Sequence, residues 1–331
     1  MPIQKSSYNK SPWYLFNPHL ETIIPSLFYK VNGIENERER LELIDGDFLD
    51  IDWIKGGNKR LMVLSHGLEG SSDRHYIQRP AKYFSKMGWD ILAWNNRSCS
   101  GEMNRLPRFY HHGATEDIGA VIDRGLSEGY DEVILMGYSM GAGMQQKYLG
   151  ERKIDERIKG AISFSVPCNV KDSALQLRLK ENQKYERRFI SKLKEKIITK
   201  SRLMEMDTEG IDDVKTFQQF DEKFTLKLFP GFRDTDDFYS KITSDQYLDK
   251  ITVPVLIVNA KNDPMLGDKC YPIEVAEKSD YIHLEMPEKG GHVGFTLTNK
   301  EFSYMEYVAE KFISEVILSG GSQNKMATHK V

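Results

Sequence analysis

Cysteine is scarce. Cys99, Cys168 and Cys270 are odd in number and far apart, so the chain writes neither a disulfide framework nor a CxxC metal knuckle. That usage fits a reducing compartment. No stretch approaches the roughly 18 apolar residues of a membrane helix. The start, Met1-Pro2-Ile3-Gln4-Lys5-Ser6-Ser7, has no apolar region of the kind a secretory signal carries. An excess of one charge sign is missing too: 46 Lys and Arg face 49 Asp and Glu, for a net charge of −3. Bulk nucleic-acid binding needs a concentrated positive field, and this balance argues against it. The expectation is a soluble cytoplasmic protein without a nucleic-acid partner.

What is present is core-forming material. The 331 residues are 40% hydrophobic and 11% aromatic, which excludes a disordered or fibrous chain. The length suggests roughly two domains, or one large α/β domain with an insertion. The first dozen residues are polar and read as loosely ordered, with regular structure expected from near Leu41. Leu41, Leu43 and Phe48 to Trp53 alternate like half-buried strands joined at Asp45-Gly46-Asp47, which spells an antiparallel hairpin.

From Arg60 the rhythm changes. Leu61 to Leu64, Asp90 to Trp94, Val133 to Met136 and Ala161 to Phe164 are apolar runs typical of strands buried on both faces. Helical stretches separate them, at about Tyr76 to Met87, Thr115 to Ser127 with Thr115 as N-cap, and Met140 to Leu149. This alternation predicts a doubly wound, mostly parallel sheet. It lapses between Lys171 and about Lys250, where helical stretches carry no strand. It resumes at Val253 to Val258, with a strand at Tyr281 to Glu285 and a helix over about Glu301 to Leu318. The expected organisation is a core in two parts, 1–170 and 251–318, a helical cap insertion at 171–250, and a flexible tail at 319–331. An insertion placed there lies over the carboxyl edge of the sheet, where such folds hold ligands.

Gly137-Tyr138-Ser139-Met140-Gly141 matches G-x-S-x-G between a strand and a helix, the context that motif requires. Glycines flank the serine because the chain turns sharply there, and a strained turn exposes the hydroxyl. The pentapeptide also occurs by chance, so the partners matter. A serine needs a base, and the base an orienting acid. Asp263, just past one strand, and His292, in the loop after the next, stand on the same edge in the order Ser, Asp, His. Alone, Asp263 reads equally as a turn residue before proline and His292 as a loop histidine. Leu64 to Gly70 follows the first buried strand, and its His66-Gly67 turn can present the Leu68 N–H beside that of Met140 as oxyanion donors. His66 itself reads as structural.

On these residues the chain resembles the YheT-like branch of the α/β-hydrolase superfamily, the group of the EMB8-like and ABHD1/2/3-type proteins. The matching stretches are Asn17 to Thr22, His66 to Ser72, Cys99 to Arg105 with Tyr110 to Gly113, Gly137 to Gly141, Phe220-Asp221 with Gly231-Phe232, and Gly290 to Phe295. They span about residues 12 to 318. The chain has Asn262 where the family more often has a second acid, and Ser98 where it usually has glycine. The resemblance implies an α/β-hydrolase fold, hydrolysis of carboxylic esters such as short-chain esters or monoacylglycerols, and Ser139, Asp263 and His292 as the charge relay. A charge relay of this kind needs no cofactor and no metal. The same triad also serves a thioesterase or amidase, and the fold alone allows a non-catalytic binding protein.

Two further features carry charge or ligand chemistry. His111-His112 could pair on a metal, but adjacent residues rarely converge on one ion and a loop-packing role is expected. Residues 171–203 carry eleven Lys and Arg against four acids, with Tyr185, Phe189, Leu193 and Ile197 at helical spacing. Residues 204–222 carry seven acids against one lysine. Mutual neutralisation within the cap is the expected reading, with membrane contact the less favoured one.

Overall fold

The computed structural model describes residues 3–8 and 10–319; the tail foreseen from 319 lies outside them, apart from Ser319 itself. In chain order the strands are β1 Ile3–Gln4, β2 Glu37–Glu42, β3 Phe48–Ile54, β4 Arg60–Ser65, β5 Asp90–Trp94, β6 Glu132–Tyr138, β7 Ile158–Phe164, β8 Val255–Val258 and β9 Ile282–Glu285. They form one sheet in the order β1-β9-β8-β7-β6-β4-β5-β3-β2. β2 and β3 make the hairpin and join β5 antiparallel. Every other pairing is parallel, so β4, β6, β7, β8 and β9 all release their loops on one edge.

The double-sided burial read from the apolar runs is observed directly. On β4, Leu61 and Val63 enter one apolar layer and Met62 and Leu64 the other; on β6, Val133 and Leu135 oppose Ile134 and Met136 in the same way. Each such side chain contributes roughly 1.5–3 kcal/mol by leaving water. The first layer is closed by α3 (Thr115–Ser127) and α4 (Met140–Glu151), the second by α2 (His75–Ser85) and the final helix Tyr304–Phe312.

Three expectations need correction. The N-terminal region is not loose before Leu41. Ile3–Gln4 pairs with β9, and α1 (Pro18–Phe28) begins with an Asn17 cap and proline at its first turn. Thr115 is the first residue of α3, not its cap; its hydroxyl bonds Glu151 instead. The final helix starts at Tyr304 because Ser303 and Glu306 form a capping box there.

Between β7 and β8 the chain is helical. α5 (Val170–Leu177) and α6 (Gln183–Ser201) are followed by the short helices Phe217–Phe220 and Thr235–Ile242, and the turn Asp245–Lys250 returns to pack on α4. The foreseen stripe of α6 faces inward, with Tyr185 and Ile197 buried. The two charged stretches do not neutralise each other by contact. Among the described residues no ion pair joins a base of 171–203 to an acid of 204–222, because Lys192, Lys196 and Lys200 turn inward to Glu69 and to the Arg108 carbonyl. No helix among the described residues is long and apolar enough to cross a membrane.

One ion cluster ties the hairpin to the parallel core. Buried Arg97, just past β5, holds Asp117 of α3 through two bonds of 2.8 Å, Asp47 at 2.9 Å and Asp45 at 2.8 Å. Arg97→Met would leave Asp47 and Asp117 buried without their counter-charge. It is expected to cost about 3–5 kcal/mol, read as a lowered urea midpoint at constant m-value. An unchanged midpoint would mean the cluster carries no stability.

Candidate active site

The turn from β6 into α4 is made within one residue. Ser139 stands between them at φ 52°, ψ −122°, a backbone region costly for any residue but glycine. The glycines around it are steric necessities. A Cβ on Gly141 would lie 2.5 Å from the His66 carbonyl oxygen, and one on Gly137 2.7 Å from the Ala142 backbone. The turn is locked where Ala142 and Gly143 donate their N–H groups to the Ser139 carbonyl, both at 3.1 Å.

His292 Nε2 lies 3.0 Å from Ser139 Oγ. On its other side, His292 Nδ1 lies 2.8 and 3.1 Å from the two Asp263 oxygens. The loop that carries His292 is strained, with Val293 at φ 57° and Phe295 at φ 42°. Four consecutive N–H groups of this loop end on side chains. Gly290 donates to Glu21 Oε2 at 3.0 Å, Gly291 to Asn262 Oδ1 at 3.1 Å, His292 to Thr22 Oγ1 at 2.9 Å and Val293 to Ser165 Oγ at 2.9 Å. Asn262 also donates from Nδ2 to Glu21 Oε2 at 2.7 Å. A second acid at 262 would face the Glu21 carboxylate, whereas the amide serves it as donor and serves Gly291 as acceptor.

The loop after β4 is ordered by His66. Asn96 donates its N–H to His66 Nε2 at 3.0 Å, so the proton sits on Nδ1 and is donated to the Gly67 carbonyl at 2.7 Å. In a trans peptide C=O and N–H point opposite ways, so this bond also fixes the direction of the Leu68 N–H. Burial pushes His66 down to about 4, which keeps it neutral for this role. Among the described residues neither Leu68 nor Met140 has an acceptor for its N–H. Glu69, at φ 54°, closes the loop; Tyr110 OH and Lys196 Nζ hold its carboxylate at 2.6 and 2.7 Å. Lys196 also lies 3.0 Å from Cys99 Sγ. Burial opposes its charge, but Cys99 and Glu69 hold it above the ordinary lysine range.

Two cavities of about 120 and 100 Å³ share Ser139, His292, Leu68, Phe189 and Met265 as lining. The second is apolar, walled by Val170, Leu177, Leu193, Phe217, Phe220 and Ile242, with Asp221 also on its wall. Asp221 accepts from Thr225 Oγ1 at 2.6 Å and Tyr239 OH at 2.8 Å, and burial pushes it up to about 6.

The predicted residues Ser139, Asp263, His292, Leu68 and Met140 thus meet at one sheet edge. His111 lies edge-on to Phe229, Phe232 and Phe238 at 4.6–5.7 Å, the foreseen packing role; both it and His112 line the apolar cavity, pushed down by burial. No group of metal-ligating side chains occurs among the described residues. Glu21, Thr22, Asn262 and Ser165 were not foreseen as supports of the histidine loop. The Asn17 to Thr22 stretch was the only signal for the first two. Ser98 has φ 61°, a backbone region that favours glycine; Asn104 holds both its N–H and its hydroxyl.

The family described as "Serine aminopeptidase, S33" matches residues 56–269, more than half of the chain. The YheT protein of Escherichia coli K12 is 30% identical over 289 residues, covering 84% of each chain. Phospholipase ABHD3 of Mus musculus is 25% identical, covering 98% of this chain and 82% of that one. An esterase of Pyrococcus furiosus superposes with a TM-score of 0.57 at 17% identity, covering 87% of this chain and 97% of that one. The protein has the α/β-hydrolase fold. The chain belongs to the serine aminopeptidase S33 family, within the YheT- and ABHD-like branch of that superfamily.

The raised Asp221 makes a stability prediction. Its folded value lies above its unfolded one, so its stabilising share is present below about pH 4 and lost as pH rises through about 6. Asp221→Asn removes that loss. The variant's melting temperature, relative to wild type, should improve between pH 4.5 and 8, by a free energy of about 3 kcal/mol at most. A pH-independent difference would mean that the carboxyl titrates normally.

Proposed function

We propose that the protein is a serine hydrolase that cleaves carboxylic esters of small or lipid-like alcohols. The observation that carries this reading is His292 Nε2 at 3.0 Å from Ser139 Oγ with Asp263 bonded behind it. His292 removes the hydroxyl proton as Ser139 attacks the ester carbonyl. The Leu68 and Met140 N–H groups receive the developing oxyanion. Asp263 keeps the Nδ1 tautomer and stabilises the imidazolium. His292 then protonates the departing alcohol, and water, activated by the same nitrogen, releases the acid from Ser139. Residues 171–250 act as a cap between the core halves 1–170 and 251–318. Phe189, Leu193 and Phe217 shape the acyl pocket and contribute no catalytic group.

Ser139→Ala should lower kcat on p-nitrophenyl esters by a factor on the order of 10⁶ with an unchanged melting temperature, and His292→Ala should be nearly as severe. Wild-type-like turnover in Ser139→Ala would remove the assignment. A fluorophosphonate probe separates the enzyme from a non-catalytic binding protein, since only an activated serine is labelled. Thr22→Val tests the support of the histidine loop. It should lower kcat about tenfold with KM little changed, because a slackened base loses alignment and not substrate. Equal effects on kcat and KM, or none, would assign Thr22 a purely structural part.

A further inference from the structure

The two cavities that meet at Ser139 are both mainly apolar and differ in the charged groups on their walls. One is walled by aliphatic and phenyl groups and suits an acyl chain. The other is lined by Arg74, Arg188 and Lys192, with Glu69 as the only carboxylate among its lining residues. Glu69 is already occupied by Lys196 at 2.7 Å and Tyr110 at 2.6 Å. Among the described residues, no carboxylate forms an ion pair with Arg74, Arg188 or Lys192.

We infer that the cavity lined by Arg74, Arg188 and Lys192 is an anion subsite, built to take a phosphate or carboxylate carried on the alcohol part of the ester. This deepens the ester-hydrolase reading and rests on it. Three features support the subsite. Arg188, Lys192 and Lys196 recur every four residues on α6, a like-charge arrangement that weakens a helix unless something else uses the charges. Arg74 Nη2 and Lys192 Nζ both reach the Glu69 carbonyl, at 3.2 and 3.4 Å, which anchors the two cations one residue past the oxyanion donor Leu68. Ser139 and His292 line the same cavity, so an anion held there shares it with the reacting ester. Burial, with Arg74 and Arg188 nearby, also pushes Lys192 below the ordinary lysine range despite Glu69, the response of a cation cluster short of counter-charge.

The test compares decanoyl esters of glycerol, glycerol 3-phosphate and glycerate. At low salt the better anionic ester should exceed the glycerol ester in kcat/KM by about tenfold, and the margin should shrink with added KCl. Phosphate against glycerate identifies the preferred group. In Arg188→Gln/Lys192→Gln the anionic-to-neutral ratio should fall about tenfold. A ratio near one in the wild type, or a ratio that survives the double substitution, would overturn the subsite. A second readout needs no turnover: glycerol 3-phosphate should raise the melting temperature of Ser139→Ala, and the rise should vanish with Arg188→Gln alone. Absence of that rise counts against the subsite even if esters are hydrolysed. A rise without hydrolysis of any ester would uphold the subsite and remove the ester reading instead.

Discussion

Four consecutive backbone N–H groups, from Gly290 to Val293, are each held by a side chain from elsewhere in the chain. The site's geometry hangs on that clamp. A β-branched residue at positive φ is unfavourable on its own, and Val293 follows the histidine directly. Strain of that kind persists only where the surroundings over-determine the conformation. Glu21 and Thr22 from α1, Ser165 from the end of β7 and Asn262 from the end of β8 supply the surroundings. The imidazole is thereby placed between a carboxylate and a hydroxyl that belong to two other strands.

Ser139 repeats the pattern on a smaller scale. Its strained turn is confined by the His66 carbonyl on one side and by the first turn of α4 on the other, and His66 in turn orients the peptide that carries the Leu68 N–H. Ser139 and the Leu68 and Met140 N–H groups therefore share one structural support. Glu69 links this unit to α6 through Lys196, so a shift of α6 would be felt one residue from Leu68.

The parallel core was legible because a strand buried on both faces needs an uninterrupted apolar run, and Leu61–Leu64 or Val133–Met136 can be read in no other register. Ser139, Asp263 and His292 were legible because their spacing obeys strand ends. The N-terminal region was not. Ile3–Gln4 is too short to show a period, and Pro25 lies inside α1, where it argues against a helix. The supports of the histidine loop were hidden for another reason. Glu21 and Asn262 are 241 residues apart, and nothing local marks a carboxylate that will end on a distant amide. The charges of residues 171–222 misled because composition cannot distinguish a base facing an acid from one turned inward onto Glu69.

The clamp from α1 also bears on the order in which the molecule is built. Thr22 and His292 are separated by 270 residues, so their bond is among the most non-local in the chain. Contacts of such separation form late, because the loop they close must be ordered first. During synthesis α1 leaves the ribosome early and waits for nearly the whole protein before it meets its partner. Strands β2 to β7 can assemble around Ser139 in the meantime, while the histidine loop still lacks its supports. Ser139 is thus in place before His292, and the bond between them is one of the last to form.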